Sequence, residues 1–147
     1  MKLCLNILIV SFLFYSCNKI KDKSIKEFDL NNIELNNKIN IAISNNDTIG
    51  YLKCYKDFSI NGYHKEFLYY ATIMAEKNNY SQAYFDIATI LEVYNFENPN
   101  SEFLSNYQIY CVLKSYELGN NQAKQAVEKL FIKNGKPIPN SNSVLCK

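Results

Sequence analysis

Residues 79–84 read Asn-Tyr-Ser-Gln-Ala-Tyr, and a similar stretch, Gly-Asn-Asn-Gln-Ala-Lys, returns 40 residues later at residues 119–124. Each stretch follows one predicted helix and opens another. A more divergent copy begins at residue 46, where Gly50 takes the place of Ala83 at a separation of 33 residues. Periods between about 33 and 45 residues, with small residues at fixed helical positions, are typical of stacked helix pairs. The sequence therefore predicts a helical repeat in which Ala or Gly lets neighbouring helices approach closely.

Helical periodicity extends over most of the chain beyond residue 30. Apolar residues recur at helical spacing in six segments, and Asn, Gly or Pro residues separate these segments. Residues 39–43 also alternate like a strand, but no Asn-Gly turn joins two alternating runs. We predict an all-α fold with a turn at Asn98-Pro99-Asn100 and helices over residues 30–44, 48–60, 64–77, 81–94, 102–118 and 121–131.

Five residues are expected to pack the repeats together. Ala83, Ile87 and Ala88 share the inner face of the fourth predicted helix, and Ala123 holds the matching position in the last one. Gly119 closes the helix before it, in the left-handed conformation that glycine tolerates best.

These patterns resemble Sel-like repeats, which are relatives of the tetratricopeptide repeat. The first helix of that repeat has the pattern A-x-x-x-L-[GA], matched here by Ala83, Ile87 and Ala88. The second helix ends in K-A-A-E-x-G, which this chain matches at Lys114, Glu117 and Gly119. The resemblance covers residues 47–132 and implies a short right-handed solenoid of antiparallel helix pairs that binds other proteins. A non-repetitive helical bundle is the alternative.

Residues 67–77 and 83–86 are also similar to small lipoproteins of Bacteroidetes-type bacteria that carry such helical pairs. Some proteins of that kind are encoded beside secreted antibacterial toxins and neutralise them. This resemblance implies an immunity protein.

The first 17 residues predict export. Lys2 precedes an apolar run that is too short to span a membrane, and the small residue Ser16 follows the run. Because Cys17 comes directly after Ser16, this start resembles a bacterial lipoprotein signal, which implies that Cys17 is lipidated and becomes the mature N-terminus. Surface-exported lipoproteins of Bacteroidetes-type bacteria tend to carry acidic residues soon after the cysteine, whereas Lys19 and Lys21 follow here. The resemblance therefore implies a membrane-anchored lipoprotein that faces the periplasm. A plainly secreted protein or an uncleaved anchor is the alternative.

These features predict that the chain is divided into four parts. They are a lipoprotein signal peptide (1–16), a lipidated N-terminus with a tether (17–29), a helical-repeat domain (30–136) and a flexible tail (137–147).

The sequence argues against nucleic acid and against zinc as ligands. The chain has 16 basic and 14 acidic residues, and every basic residue is Lys. Recognition of bases and phosphates favours Arg, and a nucleic-acid binder needs a basic excess. Cys54 and Cys111 lie among apolar helical neighbours, which predicts small buried side chains, and no cysteine spacing resembles a zinc site.

Few residues are suited to catalysis. His64, the single histidine, stands at the start of a predicted helix, where we expect a solvated or capping role. Cys111 is conceivable as a nucleophile paired with His64, but its apolar position in mid-helix would raise its pKa. Asp86, Glu92 and Glu97 lie on or near one helix and are expected to form a solvated face. We expect a protein that is not an enzyme and has no cofactor.

A binding surface is predicted from residues that lie outside the apolar face of their helix. Tyr69 lies outside the apolar face of the third predicted helix, and Phe85, Glu92 and Tyr94 lie outside that of the fourth. Exposed aromatic residues on stacked helix pairs anchor protein partners, although each of the four could pack against a neighbouring repeat instead. The expected partner is a protein, either a toxin or an envelope protein. The rival to an immunity protein is a structural or assembly scaffold for the envelope, and a hydrolase comes third.

Overall fold

The computed structural model describes residues 28–97 and 101–145 of the chain. These residues form an all-helical structure, as predicted, and none of them belongs to a strand. The signal peptide, Cys17, most of the tether and the predicted turn at residues 98–100 lie outside the described residues. The helices are α1 (Ile33–Ser44), α2 (Thr48–Ile60), α3 (Leu68–Asn78), α4 (Ser81–Glu97), α5 (Glu102–Glu117), α6 (Asn121–Leu130), a short 3-10 helix (Ile132–Asn134) and α7 (Asn142–Leu145).

Polar side chains fix where several helices begin. Asn32, Asp47, Ser101 and Asn120 accept backbone N–H groups in the first turns of α1, α2, α5 and α6. These groups have no partner within the helix, so a side-chain oxygen at this position stabilises its start. Because Asn32 caps α1, that helix begins three residues after the predicted residue 30.

The start of α3 differs from the prediction, because the residues before it are held by α2. Residues 64–67 form turns in place of the predicted helical turn. The backbone N–H of Tyr63 donates to the carbonyl of Phe58 (2.9 Å), and Nε2 of His64 lies 2.6 Å from the hydroxyl oxygen of Tyr55. Each contact joins α2 to a residue beyond its end, so the apolar pattern of the third predicted helix alone did not reveal it.

Two sets of successive helices pack against one another: α1 with α2, and α3, α4, α5 and α6 in series. The Lys65 ammonium group, just before α3, lies 5.2 Å from the ring centroid of Tyr94, near the end of α4. The hydroxyl of Ser115, near the end of α5, donates to the carbonyl of Ser81, the first residue of α4 (2.7 Å). Therefore α3 and α5 both run antiparallel to α4 and parallel to each other. In addition, α1 packs against α3.

Equivalent positions of the sequence repeat have the same backbone geometry. Asn46, Asn79 and Gly119 all have positive φ angles, of 52°, 52° and 85°, in the turns that precede α2, α4 and α6. Only Gly, and less often Asn, adopts this conformation at low cost. Four positions later, the third residue of each following helix is small: Gly50, Ala83 and Ala123.

Close approach between helices requires these small residues. A Cβ atom at Gly50 would lie 3.1 Å from Cβ of Ala42 on α1, which is tighter than an ordinary contact. Ala42 is itself buried, and so are the residues that occupy its equivalent positions on α3 and α5, Ala75 and Ser115. A larger side chain on either side of the α1–α2 contact would force the two helices apart.

Four of the five predicted packing residues lie in the core, whereas Gly119 is exposed in the turn before α6. Ala83, Ile87 and Ala123 are fully buried, and Ala88 is nearly so. Aromatic rings fill the space between the first two helix pairs, where the ring centroid of Phe67 lies 5.1 Å from that of Phe58. Short side chains at the contacts and large rings between them together give a continuous core.

One carboxylate is buried in this core, and the prediction that Asp86 lies on a solvated face was wrong. Asp86 is 2% exposed; its carboxylate accepts hydrogen bonds from the hydroxyl of Tyr51 and from the side-chain amide of Gln82, each at 2.9 Å. The amide oxygen of Gln82 in turn accepts a bond from Asn120 (2.8 Å). Tyr51 comes from α2 and Asn120 precedes α6, so the covering groups were not apparent from the pattern of α4 alone. Glu92, by contrast, is exposed.

Residues 137–145, which we expected to belong to a flexible tail, contact α5. The backbone N–H and the hydroxyl of Ser141 each donate to the carboxylate of Glu117 at 2.8 Å, and Ser141 is fully buried. The short helix α7 packs against α5 next to this contact. A polar sequence with two prolines does not by itself indicate such a contact, because the partner lies 24 residues away.

Burial of Asp86 predicts a dependence of stability on pH. Desolvation raises the pKa of Asp86 to about 6, although the hydrogen bonds from Gln82 and Tyr51 oppose this rise. The folded protein therefore binds the proton more tightly than the unfolded chain, and the free energy of unfolding falls as pH rises from about 4 through about 6. This effect amounts to at most about 3 kcal/mol. Asp86→Asn should remove this part of the slope in urea unfolding measured from acid to neutral pH.

The matched control for that measurement is Glu92→Gln, which changes an exposed carboxylate on the same helix. We expect it to keep the wild-type slope. Equal slopes in wild type and Asp86→Asn would contradict the proposed role of Asp86.

A second prediction concerns the helix contacts. Ala83→Glu should lower the free energy of unfolding by about 3 kcal/mol or more, because a charged and larger side chain is forced into a fully buried position. Gln125→Glu, at an exposed position of α6, should change stability by less than about 0.5 kcal/mol. Similar denaturation midpoints for the two variants would show that Ala83 is not at a close contact.

Candidate protein-binding surface

A row of aromatic rings runs along α5 and ends on α4. Phe103, Tyr107 and Tyr110 are spaced by four and three residues, so they share one face of the helix. The rings of Phe103 and Tyr107 are 6.2 Å apart and nearly parallel, at 8°, and those of Tyr107 and Tyr110 are 5.8 Å apart at 12°. Tyr84 on α4 meets Tyr110 edge to face at 6.3 Å. We call these four residues the aromatic row.

Exposure decreases along the row. Phe103 is 71% exposed, Tyr107 and Tyr110 are half-buried, and Tyr84 is 6% exposed. The row therefore begins in solvent and ends in the core. An aromatic side chain that is fixed by stacking loses little further entropy when a partner covers it, which favours such side chains as anchors.

Electrostatics give the row a neutral hydroxyl surface beside a negative charge. Burial raises the pKa of Tyr84 to about 12 and that of Tyr107 still further; the exposed carboxylate of Glu76, on α3, adds to the rise for both. The same two causes raise the pKa of Tyr110. At physiological pH these hydroxyls therefore remain protonated and uncharged, while Glu76 supplies negative charge nearby.

This arrangement suits recognition of a cationic or amphipathic side chain. Lys and Arg are attracted to the faces of aromatic rings, and a nearby carboxylate adds a charge partner. Tyr is also among the residues that contribute most to protein interfaces. The aromatic row with Glu76 thus combines flat apolar area and one negative charge on neighbouring helices.

The four residues for which the sequence predicts binding lie on α3 (Tyr69) and α4 (Phe85, Glu92 and Tyr94). Tyr69 is 65% exposed and contacts the ring of Tyr70 at 5.3 Å. Tyr94 is half-buried beneath Lys65, Phe85 is half-buried, and Glu92 is exposed. None of the ring contacts found in the described part of the chain joins two of these four. Their role in binding stays a prediction.

His64 and Cys111 have separate partners. His64 lies against Tyr55, and burial lowers its pKa. Cys111 is fully buried and hydrogen-bonded with Tyr107; burial is the main cause that raises its thiol pKa to about 12. Cys54 is also a buried free thiol. Across residues 28–97 and 101–145, no three His, Cys, Asp or Glu side chains are grouped so that they could hold a metal ion.

Sequence reasoning missed the aromatic row, although its signal was present. The spacing of Phe103, Tyr107 and Tyr110 is visible in the sequence once the helix is assigned. The sequence alone did not show whether these three residues face solvent or the core. The reason is that α5 contacts both α4 and α6 and therefore carries apolar residues on several sides. The contribution of Glu76 came only from the fold, since it lies on another helix.

Within the described part of the chain, no helix is both long and apolar enough to cross a membrane. No protein-family model, no curated protein and no solved structure matches this chain.

Proposed function

We propose that this chain is a lipid-anchored protein-binding module that faces the periplasm, and most specifically an immunity protein that holds a secreted antibacterial toxin inactive. The aromatic row is the observation that carries the proposal. It presents the residue types that dominate protein interfaces, on a face where Phe103 is 71% exposed and its ring is stacked on the next one. Lipid attachment at Cys17 would keep this surface at the membrane, where an incoming toxin acts.

The same proposal includes a short right-handed solenoid of antiparallel helix pairs of the Sel-like type. The three left-handed turns at Asn46, Asn79 and Gly119 support it, and so do the small residues that follow each turn by four positions. In a solenoid each pair contacts only its neighbours, and the pairs together form one extended surface. The aromatic row would then cross from the second pair, α3–α4, to the third, α5–α6.

The first test concerns the partner surface. Membranes that hold the tagged lipoprotein are cross-linked, the partner is identified by mass spectrometry, and its affinity for the soluble domain is measured. Tyr107→Ala should weaken binding about 30-fold, which corresponds to a loss of about 2 kcal/mol for an anchor residue. Ile132→Ala, at an exposed position outside the aromatic row, should leave the affinity within about twofold.

The same measurement includes Tyr69→Ala, which probes the surface predicted from sequence. Weakened binding in Tyr69→Ala with full affinity in Tyr107→Ala would place the interface on α3 instead of the aromatic row. In co-culture with the parent strain, cells without the protein should be killed by the toxin that the parent delivers. Normal growth, together with capture of envelope-assembly proteins, would favour the scaffold and contradict the immunity function.

Lipid anchoring has its own test. Cys17→Ala should release the protein from the membrane fraction, because the acylated sulfur supplies the hydrophobic attachment. Cys146→Ala, which removes a cysteine at the other end of the chain, should leave the protein with the membranes. Unchanged membrane association of Cys17→Ala would show that another feature holds the protein there.

A further inference from the structure

A groove of about 610 Å³ lies between α1 and α2, away from the aromatic row. Its apolar lining includes Leu35, Ala42 and Cys54, and Gly50 contributes backbone only. Gly50 and Ala42, which both line the groove, lie at the close contact between the two helices. The groove is therefore formed by the first helix pair itself.

The rim of the groove is acidic. It contains four carboxylates, from Asp29, Glu34, Asp47 and Asp57, against the two ammonium groups of Lys38 and Lys53. Lys38 is paired with Glu34 at 2.8 Å, so its charge is already matched. The remaining rim carries more negative than positive charge and favours a basic segment above the apolar lining.

The chain itself supplies a basic segment directly before Phe28, which lines this groove. Residues 18–27 contain four Lys and two acidic residues, with apolar Ile20 and Ile25 among them. They lead directly into Phe28, which lines the groove and whose ring is fixed 5.2 Å from Phe58 and 5.3 Å from Tyr63. The segment is therefore covalently attached at the groove, on the side where α2 ends.

Length and attachment both favour this occupant. The rim from Asp47 to Asp57 follows ten residues of α2, or about 15 Å, and five extended residues cover a similar distance. A short covalent connection gives an attached segment an effective concentration in the millimolar range, which a free peptide rarely reaches. Residues 18–27 are thus long enough, opposite in charge and always nearby.

We propose that residues 20–26 dock in the α1–α2 groove, with Ile25 over the apolar lining and lysines at the acidic rim. The docking itself does not require a lipid. Together with the proposed lipidation of Cys17, it shortens a tether of about 40 Å reach to the few residues before Ile20. The helical domain is then held close to the membrane surface.

Zero-length carbodiimide cross-linking tests this on the full chain from residue 17, because the reagent joins Lys and carboxylate groups only when they are in contact. Peptide mass spectrometry should find Lys21, Lys23 or Lys26 joined to Asp57 about tenfold more often than to exposed Glu92 or Glu128. Equal yields at all of these carboxylates would overturn the proposal. Cross-links that join an isotope-labelled chain to an unlabelled one would also overturn it, because the occupant would then be a second copy.

Limited proteolysis gives an independent readout. Trypsin should cleave after Lys23 about tenfold faster in Asp57→Lys than in wild type, because reversal of a rim charge releases the segment. Glu128→Lys, a matched reversal at an exposed position of α6, should leave the rate unchanged. Equally fast cleavage in wild type and Asp57→Lys would mean that the segment is not docked. Neither readout depends on lipidation or on a toxin, so failure here is separable from failure of the proposed function.

Discussion

Close approach of paired helices is the constraint on which the rest of the structure depends. Gly50 lies so near Ala42 that even one added carbon would be tighter than an ordinary contact. The equivalent positions in the next two pairs hold only Ala or Ser, and all of them are buried. A left-handed residue follows the first helix of each pair and turns the chain back at the required distance. Small residues and tight turns therefore act together.

Small residues bring helices together but do not determine which pair lies beside which. The buried carboxylate of Asp86 supplies that specificity, since it bonds Tyr51 of the first pair and, through Gln82, reaches Asn120 at the start of α6. A buried charge is costly unless its partners are in place. A misaligned stack would leave the carboxylate unsatisfied, so the network favours one arrangement of the three pairs.

Local pattern was sufficient for the helices and insufficient for contacts between them. The helix period and the Asn, Gly and Pro residues between the segments predicted the all-helical class and most helix bounds, because both act within a few residues. The turn before α3, the burial of Asp86 and the attachment of Ser141 to Glu117 were missed, since each depends on a group from another segment. The aromatic row was predictable only in part. The spacing of its residues is visible in the local sequence, whereas its exposure and the nearby charge of Glu76 depend on other helices.

The two candidate surfaces use different helices, and this separation has a functional consequence. The aromatic row lies on α4 and α5 beside Glu76 of α3, whereas the groove lies between α1 and α2. No residue belongs to both. The proposed docking of the tether in the groove would therefore leave the aromatic row uncovered, so that the proposed anchor and the proposed partner would use different helices. With the proposed lipid anchor at Cys17, the docked connection would be short, and the partner would be bound close to the bilayer, as the proposed immunity function requires.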